Sequence, residues 1–248
     1  MSALSYLCGY VSEDSDSELG PSRKRQKLPP PNLTLVPVVA SEVHEDNPQN
    51  HGNRVRSFPH VRGNWATFVY IQYKPTDCFA GLIDELQKAV LTKLESCHAC
   101  DDLHISLSRT FVLKYHLISP FRKALHEVLK DCQRFDLLFG SLRVFCNEEK
   151  SRTFISIEVD IFTQKYLQLL TKKVDQVLTD FQLPLFYEEP SFHMSILWVN
   201  GDKRADLNNL LASLNEILCK SIDNTDISVL VDTVSCKSGN KYFQYILQ

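Results

Sequence analysis

The sequence predicts an α+β fold: two pseudo-symmetric lobes, each an antiparallel sheet flanked by helices, facing a central cleft. Three observations carry that expectation. From Trp65 onward, stretches with a period of two alternate with stretches whose apolar residues recur every three or four positions. The order strand, helix, strand, helix, strand then starts again in the second half of the chain. In both halves the strand after the first helix carries a histidine, a gap and a serine, at His104–Ser106 and His193–Ser195.

Ahead of the first strand, residues 1–58 read as a separate region. The stretch "SEDSDSELGPSRKRQKLPPPN" is polar, charge-blocked and proline-terminated. It has too little apolar content to offset the entropy of ordering, so a disordered tail is expected. Within it Arg23, Lys24, Arg25 and Lys27 form a compact basic cluster, read either as a nuclear localisation signal or as a solvated charge cluster. The folded domain is expected over 59–248, with lobes of about 59–150 and 151–248.

In the first lobe, "NWATFVYIQY" is rich in β-branched and aromatic residues and stops before Pro75, as a strand does. "FAGLIDELQKAVLTKLES" puts Phe79, Leu82, Ile83, Leu86, Val90 and Leu94 on one helical face. "DLHISLS" is a strand. "SPFRKALHEVLKDC" predicts a helix with Ser119 as N-cap and Pro120 at its first position. "FDLLFGSLRVFCN" is a strand pair or one long strand.

The second lobe repeats the order. "RTFISIEVDI" is a strand, and "TQKYLQLLTKKVDQVLTDF" a helix with Tyr166, Leu170, Val174, Val177 and Phe181 in register. "SFHMSILWV" is a strand, and "ADLNNLLASLNEILCK" a helix carrying Leu207, Leu210, Leu211, Leu214 and Leu218. "DISVLVDTVSCKSGNKYFQYIL" closes with a hairpin turning at Ser238-Gly239-Asn240.

Composition narrows the function classes. The chain has 248 residues, is 44% hydrophobic and 23% charged, and so matches a soluble globular protein. Its apolar runs are far shorter than the roughly 20 residues needed to cross a bilayer, and no secretory signal pattern opens it. An intracellular protein without membrane association is expected. The net charge of -3 lacks the global attraction of a long nucleic-acid groove, so an RNA site would grip one or two nucleotides. Eight cysteines are scattered rather than set at framework spacings. Cys97-His98-Ala99-Cys100 has the CxxC form, but no second ligand pair accompanies it. It is read as a helix-end turn with incidental thiols, and no metal or other cofactor is expected.

In a strand, residues i and i+2 point the same way, so His104 projects with Ser106 and His193 with Ser195. The opposite faces carry Leu103, Ile105 and Leu107, and Phe192, Met194 and Ile196, which suit a core. As bare text, two such triplets are near chance for eight histidines and 22 serines. Their weight comes from matching positions in a repeated unit. Two readings stay open: one paired catalytic site, or two independent structural histidines with hydrogen-bond partners.

A histidine pair near pKa 6.5 suits cleavage of a phosphodiester beside a ribose 2′-hydroxyl. One ring removes the 2′ proton, the oxygen attacks phosphorus, and the other ring protonates the departing 5′ oxygen. The serine hydroxyls can donate to the non-bridging oxygens as charge builds. The expected roles are His104 as base and His193 as acid, though these depend on the direction in which RNA crosses the cleft.

Paired H-x-[S/T] motifs in duplicated lobes resemble the 2H phosphoesterase superfamily. More specifically, "GNWATFVYI", "HISLSRT", "SRTFISIEV", "LPLFYEEPSFHMSILWV" and "CKSGNKYF" resemble the U6 small nuclear RNA phosphodiesterase family, from Phe58 to the C-terminus. The resemblance implies a 2H phosphoesterase domain that trims the oligouridine 3′ tail of U6 small nuclear RNA; for animal members it implies a 2′,3′-cyclic phosphate end, which some fungal members open to a phosphate. A nuclear protein is expected, and a monomer, since no heptad or large apolar helix face is left unassigned. The resemblance also implies catalytic roles for His104 and His193, phosphate contacts for Ser106 and Ser195, and substrate-binding roles for Tyr187 and Ser191, with Tyr187 stacking on the 3′ base. Competing readings are a cyclic phosphodiesterase or RNA ligase of the same superfamily, and a non-catalytic RNA 3′-end binding module. His116 and His126 lie outside the repeated strand position and are read as surface residues, and His60 as an anchor of the domain's start. Glu188 and Glu189 are read as loop-shaping or solvent-facing. Lys237 and Lys241 flank the last turn, either as phosphate contacts or as ordinary exposed lysines.

Overall fold

Alternation in the first strand sets the two faces of the whole sheet. In β1 (Asn64–Gln72), Val69 and Ile71 are buried while Phe68 is half-buried and Gln72 exposed. The computed structural model describes residues 61–222 and 228–248. The expected tail of 1–58, with its basic cluster at Arg23, Lys24, Arg25 and Lys27, lies outside the described residues, as does His60.

After β1 the chain forms α1 (Asp77–Leu91), β2 (His98–Ala99), β3 (His104–Ser106), β4 (Phe111–Lys114) and α2 (Tyr115–Leu129). There follow β5 (Phe135–Cys146), β6 (Arg152–Val159), α3 (Gln164–Asp180), β7 (His193–Asn200) and α4 (Arg204–Ile222). β8 (Ser228–Val231), β9 (Thr233–Ser238) and β10 (Lys241–Ile246) complete it. The expected α+β class is what forms. The strands run in the order β10-β9-β1-β3-β7-β6-β5-β8, with β2 beside β7 and β4 beside β1. Each described pairing is antiparallel. β8 ends this path, yet only Asp232 separates it from β9 near the other end. A flat sheet cannot bring those two strands together, so the sheet curls.

One face of the curled sheet carries Val69, Ile71, Ile105, Ile155, Ile157 and Met194, all at most 2% exposed. These join the buried sides of the four helices in one core. Leu103, Leu107, Phe192 and Ile196 are buried as expected. The other face is left to polar and aromatic side chains, and it holds both histidines.

Several elements differ in detail from the sequence expectation. α1 begins at Asp77, because the Thr76 hydroxyl accepts the Phe79 N–H at 3.3 Å and caps it, and it ends at Leu91. α2 begins at Tyr115 rather than after Ser119, and Pro120 lies inside it. The apolar stripe of α2 runs Ile118, Phe121, Leu125, Leu129, so the turn before Pro120 is needed to bury Ile118. α3 buries Leu167, Thr171 and Leu178 beside the expected Leu170, Val174 and Val177, while Tyr166 stays 37% exposed and stacks on Phe135. The CxxC stretch forms strand β2 against β7 instead of a helix-end turn. Burial pushes the Cys97 thiol up to about 11 and the Cys100 thiol up to about 12. "FDLLFGSLRVFC" is one strand with an irregularity between Phe139 and Leu142, where Asn215 of α4 accepts the Leu142 N–H at 2.8 Å.

The C-terminal hairpin turns as expected. Ser238 pairs with Lys241, leaving Gly239 and Asn240 as its two-residue loop. Gly239 has φ +57, and a Cβ there would sit 2.5 Å from the Trp65 ring. Both the conformation and the space require glycine.

Candidate active site

The two halves of the sheet meet where Ile105 of β3 pairs with Met194 of β7. Both residues turn into the core, at 1% and 0% exposure. One step to either side, the antiparallel register sets His104 across from Ser195 and Ser106 across from His193. Four polar side chains therefore share the face away from the core, with the histidines on a diagonal. Such diagonal positions stand about 7–8 Å apart. The rings are close enough that charge on His104 lowers the pKa of His193.

Both imidazoles are oriented in the same way. His104 Nδ1 lies 2.8 Å from the carbonyl oxygen of Asp102, and His193 Nδ1 lies 2.7 Å from that of Ser191. A carbonyl oxygen only accepts, so Nδ1 carries the proton and donates in each case. Nε2 is then the nitrogen that gains or loses a proton. The same bond, to the residue two positions earlier, fixes the same tautomer twice.

The neighbours of the two rings differ. Phe145 of β5 lies flat on His193, with centroids 3.9 Å apart and planes 13° from parallel. Burial pushes the His193 pKa below its ordinary value, the Ser191 carbonyl and Glu158 partly offset this, and His104 and Arg143 add to the lowering. Glu158 pairs across β6–β7 with His193, and Arg143 donates to its carboxylate at 2.7 Å. His104 is flanked instead by Tyr70 edge-on at 5.5 Å and Phe68 at 5.8 Å, and pairs with the uncharged Gln72. Ser195 Oγ lies 2.9 Å from Ser156 Oγ, and Ser106 pairs with Tyr70.

The expected site residues do not all fall together. His104, His193, Ser106 and Ser195 form one constellation. Ser191 joins through its backbone, by accepting the His193 hydrogen bond. Tyr187 sits in the loop before β7, 51% exposed, beside Phe186 at 5.2 Å and beneath the Arg109 guanidinium at 4.9 Å. Phe186 in turn stacks on the buried Phe192, which precedes His193. His116, His126, Glu188 and Glu189 are exposed. Lys237 lies on the histidine face, paired with Phe68, whereas Lys241 lies by Trp65 and Tyr115.

Ser156, Glu158, Arg143, Phe145, Tyr70 and Phe68 were not singled out from sequence. A signal for some was present: "ISIEV" places Ser156 and Glu158 on one polar face, as His-x-Ser does. Phe145 carried none, because its contact depends on the curl of the sheet.

The HVSL family, described as an uncharacterised conserved protein, matches residues 27–245. Similar curated proteins include U6 snRNA phosphodiesterase 1 of Xenopus laevis, 36% identical over 247 residues and 98% of each chain. The Homo sapiens protein of that name is 37% identical over 261 residues, again covering 98% of each. The chain belongs to the U6 snRNA phosphodiesterase family. Among solved structures of similar fold, Kluyveromyces marxianus Usb1 gives a TM-score of 0.55 at 13% identity, covering 73% of this chain and 98% of that one. Its structure with uridine monophosphate gives 0.54 at 12% identity, with the same coverage. These likenesses concern the fold, and the U6 snRNA phosphodiesterase relatives carry the family assignment.

Proposed function

We propose that this chain is an RNA phosphodiesterase, a metal-independent 3′-to-5′ exonuclease that trims the oligouridine 3′ tail of U6 small nuclear RNA. The observation that carries the chemistry is the pair of identically pinned imidazoles, each leaving Nε2 to exchange protons on one sheet face. The relatives named U6 snRNA phosphodiesterase 1 carry the choice of substrate, and the structure of Kluyveromyces marxianus Usb1 with uridine monophosphate accords with a uridine end.

In this reading one Nε2 takes the proton of the penultimate 2′-hydroxyl, whose oxygen attacks the adjacent phosphorus. The bond from phosphorus to the departing 5′ oxygen breaks, and the other Nε2 supplies that oxygen with a proton. The shortened RNA keeps a 2′,3′-cyclic phosphate. Ser106 and Ser195 donate to the non-bridging oxygens, and Tyr187 stacks on the terminal base. His104 is the acceptor and His193 the donor, which sets the upstream nucleotide on the His104 side of the face and the departing terminal nucleotide on the His193 side, where Tyr187 precedes β7. The protein acts as a monomer in the nucleus, where the cluster of Arg23, Lys24, Arg25 and Lys27 serves as localisation signal.

The test replaces the penultimate 2′-hydroxyl of a short uridine-ended RNA with hydrogen, in the presence of a chelator. Cleavage of the normal RNA and none of the substituted one is expected. Continued cleavage would point to attack by water, and a need for added divalent metal would overturn the metal-free mechanism.

A further inference from the structure

The two halves of the histidine face can be superposed by register. Pairing of Tyr70 with Ser106 matches pairing of Ser156 with Ser195, and pairing of Gln72 with His104 matches pairing of Glu158 with His193. One strand further out, Lys237 of β9 opposite Phe68 corresponds to Phe145 of β5 opposite Phe154. The correspondence shows where the charges differ.

On the His193 side the outer cation, Arg143, is neutralised by Glu158 at 2.7 Å. On the His104 side the place of Glu158 is taken by Gln72, and the cation of the outer strand is Lys237. Its ammonium has no carboxylate partner among the described residues and lies 5.0 Å from the ring of Tyr242. Tyr242 pairs with Lys237 on the edge strand β10 and is 63% exposed. The row is continuous with the histidines, because Phe68, beside Lys237, lies 5.8 Å from His104 and 4.9 Å from Tyr70.

We infer that Lys237 and Tyr242 form a second RNA subsite, which holds the strand on the 5′ side of the two nucleotides flanking the scissile phosphate. The Lys237 ammonium contacts the next phosphate upstream, and the Tyr242 ring offers a face to its base. The occupant is a single strand of RNA. An unpaired cation beside an exposed aromatic ring is the combination that holds a phosphodiester backbone and a base without reading sequence. The other half of the face offers a cation already cancelled by its neighbour. The inference rests on the histidine pair being the cleavage centre, since that fixes which part of the strand reaches β9 and β10.

The experiment measures affinity for two uncleavable RNAs, each with hydrogen at the penultimate 2′ position: a uridine dinucleotide and a uridine octamer. Lys237→Ala and Tyr242→Ala, checked for an unchanged melting transition, are compared with the natural protein and with Lys237→Arg. The expected result is a loss of about tenfold on the octamer that clearly exceeds the loss on the dinucleotide. The slope of log affinity against log salt should shrink by about 0.7 in Lys237→Ala, and Lys237→Arg should restore binding. Equal losses on both RNAs, or no loss on the octamer, would overturn the subsite. Because these RNAs are not cut, the result is independent of cleavage: failure of the natural protein to cut normal RNA would count against the catalytic reading alone.

Discussion

Phe145 and His193 are stacked face to face, 3.9 Å between centroids, although they come from strands separated by β6. The contact keeps water from one side of the imidazole, and exclusion of water is the main reason its pKa is lowered. Phe145→Ala should therefore raise the His193 pKa toward the ordinary value of about 6.5. The limb of the kcat/KM profile that follows His193 should move to higher pH with it. An NMR titration of the ring reads this directly, and an unchanged midpoint would remove Phe145 as the cause.

The same lowering affects stability. A histidine with a lower pKa folded than unfolded binds more protons when unfolded, so its contribution is full above the unfolded value of about 6.5. That contribution is lost as the pH falls through this value toward the folded one. Urea midpoints at about pH 7.5 and about pH 5 should differ more in the natural protein than in His193→Gln. Equal differences would mean that His193 carries none of the acid sensitivity.

The proposed mechanism requires both histidines for turnover. His104→Ala and His193→Ala should each lower kcat by about 10²–10⁴-fold, the usual contribution of a positioned proton donor or acceptor. Circular dichroism should stay unchanged, since both rings are only half-buried. Near-normal turnover in either folded variant would dissolve the pair.

Asp175 of α3 accepts the Phe186 N–H at 3.0 Å and so ties down the loop that carries Tyr187. Asp175→Ala should raise KM about fivefold, the cost of roughly one hydrogen bond, with little change in kcat. Asp175→Asn keeps an acceptor and should recover most of the loss. A fall in kcat in both variants would point to a wider structural defect.

Gly239→Ala should destabilise the fold by about 1–3 kcal/mol, because φ +57 suits glycine and the new methyl would press on Trp65. Thermal melting with tryptophan fluorescence reports both effects. An unshifted melting temperature would show that the hairpin adapts at no cost.

Much of this was legible in the sequence because local periodicity reports which side of an element is buried. Ile105 and Met194 between flanking polar residues gave both the strand face and the paired motifs. The start of α2 is not legible locally, because a serine–proline cap is a local signal, whereas burial of Ile118 is a tertiary one. Phe145 and Ser156 are illegible in the sequence for a related reason. Their contacts with His193 and Ser195 bridge β5, β6 and β7, and no spacing within one strand encodes which strands become neighbours. Lys237 was noted as flanking a turn, but its place opposite Phe68 required the register of β9 on β1.

The passage from β8 into β9 through the single residue Asp232 has a consequence for synthesis. β1 is among the first strands to leave the ribosome, yet its partner β9 is among the last. While β9 is still within the exit tunnel, β1 lacks that neighbour, and the face that will hold His104 has an open border. Closure thus waits until β9 has left the tunnel. A premature stop between β7 and β9 would yield a chain with every histidine present and no β9 to close the border of the sheet that holds them.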